Sequence, residues 1–249
     1  MLIVLTLLVF ALAFIFSMLG LGGAMLYVPV FTWFGFDLKG VAIPTGLFLN
    51  SITALSAAVY YYRAKMIDVK GAAPMIVTAI IGAPAGAHFT HLIPTDILIT
   101  LFSIAMITAG AKMLYSASDK EPTSLLAFKK RAIITGTAGF FIGFTSGLLG
   151  TGGGFLFVPM MIAVGYPTKQ AAATSAFIVL FSSFSGFLGH ASQGHFNWQL
   201  LIFCTIAVII GAQIGGKVMK EKMKARWIKQ IFGILLIVVA IKFSWNIFF

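Results

Sequence analysis

The chain is long, apolar and poor in charge: its 249 residues are 60% hydrophobic and 9% charged, with a net charge of +11. Soluble domains carry about 25% charged residues, so the composition excludes an ordinary soluble protein. Fourteen of the 17 Lys and Arg residues fall in three short stretches, at 63–70, 112–131 and 217–229. Such clustering is typical of cytoplasmic loops between membrane spans, and it argues against a nucleic-acid-binding surface.

Apolar stretches of about 20 residues recur along the whole chain, and each is long enough to cross a hydrocarbon core of about 30 Å. We therefore predict an all-α membrane protein that crosses the plasma membrane many times and has the lipid bilayer as its surroundings. The eight stretches lie at 1–19, 43–62, 72–90, 97–116, 132–148, 171–192, 197–216 and 228–248.

A Gly-rich break occurs twice within these apolar segments, 130 residues apart, beginning at Gly20 and at Gly150. Residues 19–45 and 149–175 align without a gap and share ten identities, including a Val-Pro pair after each break. A duplicated chain whose hydrophobic segments are interrupted at corresponding places is typical of transporters that bind their substrate at the interruptions.

The duplication predicts a first transmembrane repeat at 1–116, a cytoplasmic linker at 117–130 and a second repeat at 131–249. The basic loop of the first half is at 63–70, whereas that of the second half, at 217–229, occupies a different position in the repeat. The two halves therefore point opposite loops toward the cytoplasm, as in an inverted-topology repeat. This arrangement leaves both termini on the extracytoplasmic side.

Inversion requires an odd number of crossings in each half, so the broken segments 1–36 and 131–166 must each leave and return on the same side. Each could form two short tilted spans or a re-entrant hairpin. A limb of about 15 residues reaches about 22 Å, which is ample for the midplane. We expect about eight to ten membrane-inserted helices, with the two Gly-broken hairpins meeting near the midplane.

Glycines at the breaks leave backbone N–H groups unobstructed, and such groups at the start of a half-helix bind anions. Neutral Ser, Thr and Asn donors on the following segments would complete a site for an oxyanion. Two other interpretations remain open: the glycines permit close helix packing, and the hydroxyls bond carbonyls of their own helix. The predicted substrate-binding residues are Gly20, Gly22, Gly23, Thr45, Asn50, Gly150, Thr151, Gly152, Gly153, Gly154, Thr174 and Ser175.

All six Asp and Glu residues fall in or beside predicted loops, so the sequence gives little support for a cation site or an acidic proton relay within the membrane. Cys204 is the single cysteine, which excludes an internal disulfide. We find no metal-ligand cluster, no nucleophile–base pair and no phosphate-binding loop followed by Lys. We therefore expect neither a cofactor nor a bound metal, and no enzymatic activity.

The second break, Leu149–Pro159, resembles the TauE/SafE family of sulfite and sulfonate exporters. The degenerate first copy through Val28-Pro29, the Ala173-Thr174-Ser175 sequence and the Gly-Ala-x-x-Gly sequences at 82 and 211 resemble it too. The likeness spans nearly the whole chain. It implies transport, often export, of small sulfur-containing oxyanions such as sulfite or short organosulfonates.

The two copies of the motif differ in their donors. Leu21 and Ala24 stand in the first copy where the second has Thr151 and Gly154, so the first half is expected to offer fewer groups to an anion. The favoured interpretation is a carrier that works by alternating access. A passive anion channel through the same Gly-lined constriction, a non-transporting scaffold and an intramembrane enzyme are the alternatives. The sulfur compound, the coupling ion and the oligomeric state are not determined by the sequence.

Overall fold

A computed structural model describes residues 2–89, 95–118, 121–122, 124–191 and 196–248. All regular secondary structure in these residues is helical, which confirms the all-α prediction. The α-helices in chain order are α1 (Leu2–Leu19), α2 (Ala24–Trp33), α3 (Ile43–Arg63), α4 (Val69–Phe89), α5 (Thr95–Tyr115), α6 (Phe128–Leu149), α7 (Gly154–Ala163), α8 (Thr168–Ala191), α9 (Trp198–Glu221) and α10 (Ala225–Phe248).

Among the described residues, six helices are long and apolar enough to cross a membrane: α1, α3 with the wide π-helical turn before it, α4, α6, α8 and α9. The two remaining apolar stretches of the sequence, 97–116 and 228–248, are helical as α5 and α10. Helices α2 and α7 have ten residues each, about 15 Å, which is too short for a crossing. Eight crossings therefore stay a prediction.

The stretch between the two halves contains the first turn of α6. Helix α6 begins at Phe128, inside the predicted linker 117–130, so Phe128, Lys129 and Lys130 form its first turn. The chain preceding α6 also pairs with the chain following α7, since Leu126 N–H donates to the Val164 carbonyl at 3.2 Å. The start of α6 and the end of α7 therefore lie together, as expected for the limbs of a hairpin.

Helices pack mainly across the two halves of the chain. In the part that the structure describes, α1 packs on α9, α6 packs on α4, α3 packs on α8 and α5 packs on α10. The central pair is α3 and α8, for which 78% and 67% of the apolar window is buried, against 39% for α1 and α4. Polar side chains on α3 and α8 are therefore kept from lipid, whereas α1, α4 and α9 present exposed Ile, Leu, Val and Phe side chains outward.

The two Gly-Ala-x-x-Gly sequences explain the close approach of two of these pairs. A Cβ at Gly82 of α4 would overlap the Phe140 carbonyl of α6, and a Cβ at Gly211 of α9 would overlap the Phe10 carbonyl of α1. The second glycine of each sequence makes the equivalent contact one turn later. Small residues allow membrane helices to approach at backbone distance, so these glycines act in packing.

Candidate functional site

The two Gly-rich breaks are turns that join α1 to α2 and α6 to α7. Gly20 and Gly22 have φ of +72° and +78°, and their repeat partners Gly150 and Gly152 have φ of +66° and +75°. An L side chain is disfavoured in this left-handed region, so glycine is required at both positions of both turns. The first two glycines of each break therefore share one backbone conformation, whereas the third differs, with φ of −167° at Gly23 and +71° at Gly153.

The two breaks touch each other and the central helices. A Cβ at Gly154 would overlap the backbone of Leu21, so the second break packs directly on the first. Gly20 lies against the backbone of Ala172 in α8, and Gly150 lies against the side chain of Ile43 in α3. Each break is thus enclosed by a helix from the other half of the chain.

Asn50 of α3 occupies the first break. Its Oδ1 accepts hydrogen bonds from the backbone N–H groups of Gly23 and Ala24, the latter at 2.9 Å, at the start of α2. Its Nδ2 donates to Ser183 Oγ in α8 at 2.5 Å. Ser183 Oγ in turn donates to the Gly152 carbonyl of the second break at 3.4 Å. The two N–H donors fix the orientation of the amide, because only its oxygen can accept from them.

The start of α7 in the second break has no such cap. The position that corresponds to Asn50 by the 130-residue offset is Leu180, whose side chain cannot accept a hydrogen bond. The backbone N–H groups of Gly153 and Gly154 have no hydrogen-bond partner among the residues that the structure describes. Two donors and the positive end of the α7 dipole are therefore available at this turn.

Hydroxyl groups without partners accompany these free N–H groups. The Oγ atoms of Ser146, Thr151, Ser175 and Ser182 are buried and have no hydrogen-bond partner in the described part of the chain. Thr151 lies in the second break itself, and a Cβ on Gly153 would lie 3.1 Å from the Cβ of Ser146. Leaving a buried hydroxyl unpaired costs about 1–3 kcal/mol, so the unpaired hydroxyls of Thr151 and Ser146 make the second break a candidate site for a polar ligand.

Ser175 faces the same way as the residues of α8 that contact the breaks. At about 100° per residue, Ser175 is about 60° from Ala172 and about 80° from Ser183 around the helix axis. Ser175 is fully buried, with 0% of its surface exposed. Thr174 lies about 180° from Ser183, on the opposite face of the helix.

Four of the predicted site residues have other surroundings. Thr174 Oγ1 accepts from the backbone N–H of Asp68 at 3.3 Å, in the turn between α3 and α4. Asn50 and Gly23 bond each other, so neither is available to a ligand in this arrangement. Thr45 is buried on α3, near the start of that helix. Asn50 therefore caps the start of α2, and Thr174 belongs to the turn that precedes α4.

Ser146 was not predicted as a site residue. Its repeat partner, 130 residues earlier, is Phe16, so the comparison of the two halves gives no signal for it. Its position in the last turn of α6, four residues before Gly150, was the only indication that the sequence contained.

A second polar group, which we term the Asp68 cluster, consists of Asp68, Arg131, Tyr166 and Thr174. Asp68 Oδ2 lies 3.6 Å from the Arg131 guanidinium and accepts from the Tyr166 phenol at 2.7 Å. The Arg131 guanidinium also lies 5.1 Å from the centre of the Tyr166 ring. Burial and the Asp68 carboxylate raise the pKa of the Tyr166 phenol, so the phenol stays protonated and remains a donor.

Glu121 binds the turn between α7 and α8 at the first residue of α8, Thr168. Its carboxylate accepts from the Thr168 backbone N–H at 2.6 Å and from the Thr168 hydroxyl at 2.8 Å, and it lies 3.4 Å from Lys229 Nζ. Lys229 Nζ also donates to the Ser116 carbonyl at 3.1 Å. The turn between α7 and α8 is therefore tied by two carboxylates to the three basic stretches of the chain.

The acidic residues agree with the expectation from the sequence where the structure describes them. Asp68 and Glu121 lie outside the α-helices, and Glu221 is the last residue of α9. Asp119 lies outside the described residues. Among the described residues no group of three or more His, Cys, Asp or Glu side chains could hold a metal ion.

Six helices able to cross a membrane, enclosing a buried turn with unpaired donors, are the features of a multi-pass membrane protein with an internal polar site. Known proteins identify its class. Residues 5–243 match the family described as "Sulfite exporter TauE/SafE". Because this match covers nearly the whole chain, the protein belongs to the TauE/SafE family of membrane transporters. No solved structure matches the chain.

Curated relatives agree with this assignment. The chain is 30% identical to the probable membrane transporter protein YunE of Bacillus subtilis, over 90% of each chain. It is 27% identical to the probable membrane transporter protein y4hK of Sinorhizobium fredii, over 95% of each chain. It is also 27% identical to the probable membrane transporter protein MJ0441 of Methanocaldococcus jannaschii, over 81% of this chain and 80% of the relative. The resemblance found in the sequence motifs is confirmed.

Proposed function

We propose that the protein carries small sulfur-containing oxyanions, such as sulfite or a short organosulfonate, across the plasma membrane. The substrate binds at the second break, where the N–H groups of Gly153 and Gly154 and the hydroxyl of Thr151 supply donors. The observation that carries this proposal is the coincidence of an uncapped half-helix start with unpartnered, buried hydroxyls. Ser175 supplies a further hydroxyl from α8.

The donor set suits an oxyanion because every group is a neutral hydrogen-bond donor. Backbone N–H groups at a helix start carry a partial positive charge, which stabilises an anion without requiring an intramembrane Lys or Arg. A sulfonate or sulfite group presents three oxygens around one sulfur atom, so it can accept from N–H groups and hydroxyls on several sides. A monatomic ion such as chloride would leave some of these donors unpaired.

Only the second break binds substrate in this proposal. Asn50 Oδ1 accepts from the N–H groups of the first break, and in this way it takes the role that a substrate oxygen takes at the second. The site is therefore asymmetric although the sequence is duplicated. One anion per transport cycle follows from this asymmetry.

The two halves act as inverted-topology repeats in this proposal. Their helix contacts are reciprocal: α1 packs on α9 as α6 packs on α4, and α3 contacts α9 as α8 contacts α4. The repeat partners exchange places in each of these pairs, as a two-fold relation between the halves would require. Together with the distribution of Lys and Arg, this supports extracytoplasmic termini and hairpins that meet near the midplane.

Alternating access requires a barrier that opens on one side at a time. On the side of the basic loops, the Asp68 cluster and Glu121 hold the turn between α7 and α8 against the rest of the protein. We propose that this turn moves away when the second break is exposed to the cytoplasm. A passive channel is less well supported, because it would not need these partly buried charge pairs to break and re-form.

The membrane potential favours export. An inside-negative potential of 100 mV favours exit of a singly charged anion by about 2.3 kcal/mol. An uncoupled anion carrier would therefore export without a proton site, consistent with the described acids lying between the α-helices or at their ends.

Electrogenic flux in proteoliposomes tests the proposal. Sulfite, a short sulfonate, sulfate, thiosulfate and chloride are compared at several membrane potentials, with and without a pH gradient. Saturable current for one sulfur oxyanion, unchanged by the pH gradient, is the expected result. Flux that is insensitive to every sulfur oxyanion and to the potential would overturn it, and single-channel currents would select the channel.

A further inference from the structure

A groove of about 830 Å³ runs between α4 and α6 on the outer surface of the protein. It is away from the two breaks, and the proposed transport function does not use it. We term it the α4–α6 groove. Its lining residues are Lys70, Ala73, Pro74, Val77, Thr78, Phe128, Ala132, Ile133, Gly136, Thr137, Phe140 and Phe141.

The groove exists because small residues line the seam between the two helices. A Cβ on Gly136 would meet only atoms of Pro74, at 3.8 Å and beyond, so the space over Gly136 is open. Deeper along the same pair, a Cβ on Gly139 or Gly143 would overlap the other helix. The two helices are therefore in backbone contact at Gly139 and Gly143 and leave a surface groove at Gly136.

The groove has a polar end and an apolar length. Lys70, in the first turn of α4, and Phe128, the first residue of α6, mark its end near the basic loops. From Phe128 to Phe141 it extends about 20 Å, roughly the depth of one leaflet of the bilayer. Ile133 and Val77 along its wall are 63% and 58% exposed, so an apolar ligand would bury hydrophobic surface here.

The positive charge at the polar end is not neutralised by neighbouring acids. Asp68, the acid nearest in sequence to Lys70, is already engaged by Arg131, Tyr166 and the backbone N–H of Gly71. Lys70 forms no ion pair within the described residues. Lys129 and Lys130 are exposed beside Phe128 and add to the positive potential at this end.

We propose that the α4–α6 groove binds one anionic phospholipid from the leaflet that faces the basic loops. Its phosphate lies at Lys70, within the field of Lys129 and Lys130, and one acyl chain lies along Val77, Ile133 and Phe140. A zwitterionic lipid would satisfy the apolar wall but not the uncompensated cations, so the charge selects an anionic headgroup. Because the bound lipid contacts both helices, it stabilises the α4–α6 pair. Helix α6 also leads into the second break.

Lipid retention on the purified full chain tests this proposal. Native mass spectrometry and thermal melting are measured with phosphatidylglycerol and with phosphatidylcholine of the same acyl chains. The wild type is expected to retain phosphatidylglycerol at least about fivefold better, the effect of one cation near a headgroup. Lys70→Gln should reduce the preference about fivefold but keep binding, whereas Gly136→Leu, which fills the groove, should remove both. Lys222→Gln, an exposed cation on another basic loop, is the matched control.

Three results would overturn the lipid-site proposal. Equal retention of the two lipids by the wild type, or an unchanged preference in Lys70→Gln, overturns the proposal. If Lys222→Gln loses as much of the preference for phosphatidylglycerol as Lys70→Gln does, the preference reflects general surface charge, and the proposal is also overturned. If Gly136→Leu does not fold, the Lys70→Gln comparison still decides. None of these measurements depends on transport, so the failure of the lipid site and the failure of the proposed function are distinguishable.

Discussion

Asn50 of α3 and Ser183 of α8 form a hydrogen bond of 2.5 Å that joins the two halves of the chain at the point where the breaks meet. The two residues are 133 positions apart in sequence. Asn50 caps the first break and Ser183 contacts the carbonyl of Gly152 in the second. The bond therefore connects a turn that is filled by a side chain to a turn whose donors are unpaired.

Thr151→Val should weaken substrate binding and leave the fold as stable as the wild type or more so. The Thr151 hydroxyl is buried without a partner, and removing such a group relieves a cost of about 1–3 kcal/mol. If the hydroxyl donates to the substrate, the KM for the transported anion should rise about tenfold, since a hydrogen bond to a charged group contributes about 1.5–3 kcal/mol. Melting temperature and initial flux are measured on the same preparation.

Thr145→Val is the matched control for that substitution. Thr145 lies on the same helix as Ser146, but its hydroxyl bonds the Phe141 carbonyl at 2.9 Å. We expect no change in KM. An unchanged KM in Thr151→Val would show that this hydroxyl does not contact the substrate.

Asn50→Asp should preserve the cap and impair anion binding. A carboxylate can still accept from the N–H groups of Gly23 and Ala24, so the start of α2 remains satisfied. It cannot donate to Ser183, and it introduces negative charge beside the second break. We expect the affinity for the substrate anion to fall by about tenfold or more, measured by binding of labelled substrate.

The control for Asn50→Asp is the same change at another helix cap. Asn197 precedes α9, and its Oδ1 accepts from the Leu200 N–H at 3.1 Å. Asn197→Asp should leave substrate affinity unchanged. Equal affinities in Asn50→Asp and the wild type would contradict an anion site at the second break.

Tyr166→Phe should favour the state that is open toward the basic loops. The substitution removes the phenol that donates to Asp68 at 2.7 Å and leaves the ring in contact with Arg131. The expected result is faster labelling of a cysteine at position 175 by a membrane-impermeant thiol reagent, in a Cys204→Ser background. Tyr62→Phe, at a ring that is 65% exposed, should leave the labelling rate unchanged. Labelling that is slower than in the wild type, or equal to it, would show that the Asp68 cluster is not the barrier on this side.

Gly82→Val and Gly211→Val should destabilise the protein to a similar extent. Each side chain would overlap a backbone carbonyl of the facing helix, at Phe140 and Phe10 respectively, so the helices must separate. We expect each melting temperature to fall by several degrees, the result of losing about 1–3 kcal/mol. Gly136→Val, whose Cβ meets nothing closer than 3.8 Å, should melt near the wild type. A strong effect at only one of the two paired glycines would contradict reciprocal packing of the halves.

Much of the fold could be predicted from local features of the sequence. Gly20, Gly22 and their repeat partners mark turns, because a left-handed backbone conformation restricts those positions to glycine. The end of α6 at Leu149 and the start of α7 at Gly154 follow from the same signal. The start of α6 was less predictable, because the polar residues before position 131 look like linker although Phe128 begins the helix.

The candidate site was only partly predictable. The sequence indicated that both breaks contribute to the site, the first with fewer donors, and that Thr174 and Ser175 lie alongside. The structure separates those neighbours, because a turn of about 100° between adjacent helix positions directs Thr174 toward Asp68. Ser146 carries no signal in the repeat, since Phe16 is its partner.

The sequence by itself determined the membrane class, the duplication, the turns and the family, because hydropathy, glycine conformation and motif identity are properties of short segments. Only the tertiary structure decided which break keeps its donors free. That outcome depends on Asn50 reaching the start of α2 from another helix, while Leu180 at the matching position cannot do the same for α7. Contacts between distant segments are fixed by packing, and two copies of one motif can therefore acquire different chemistry.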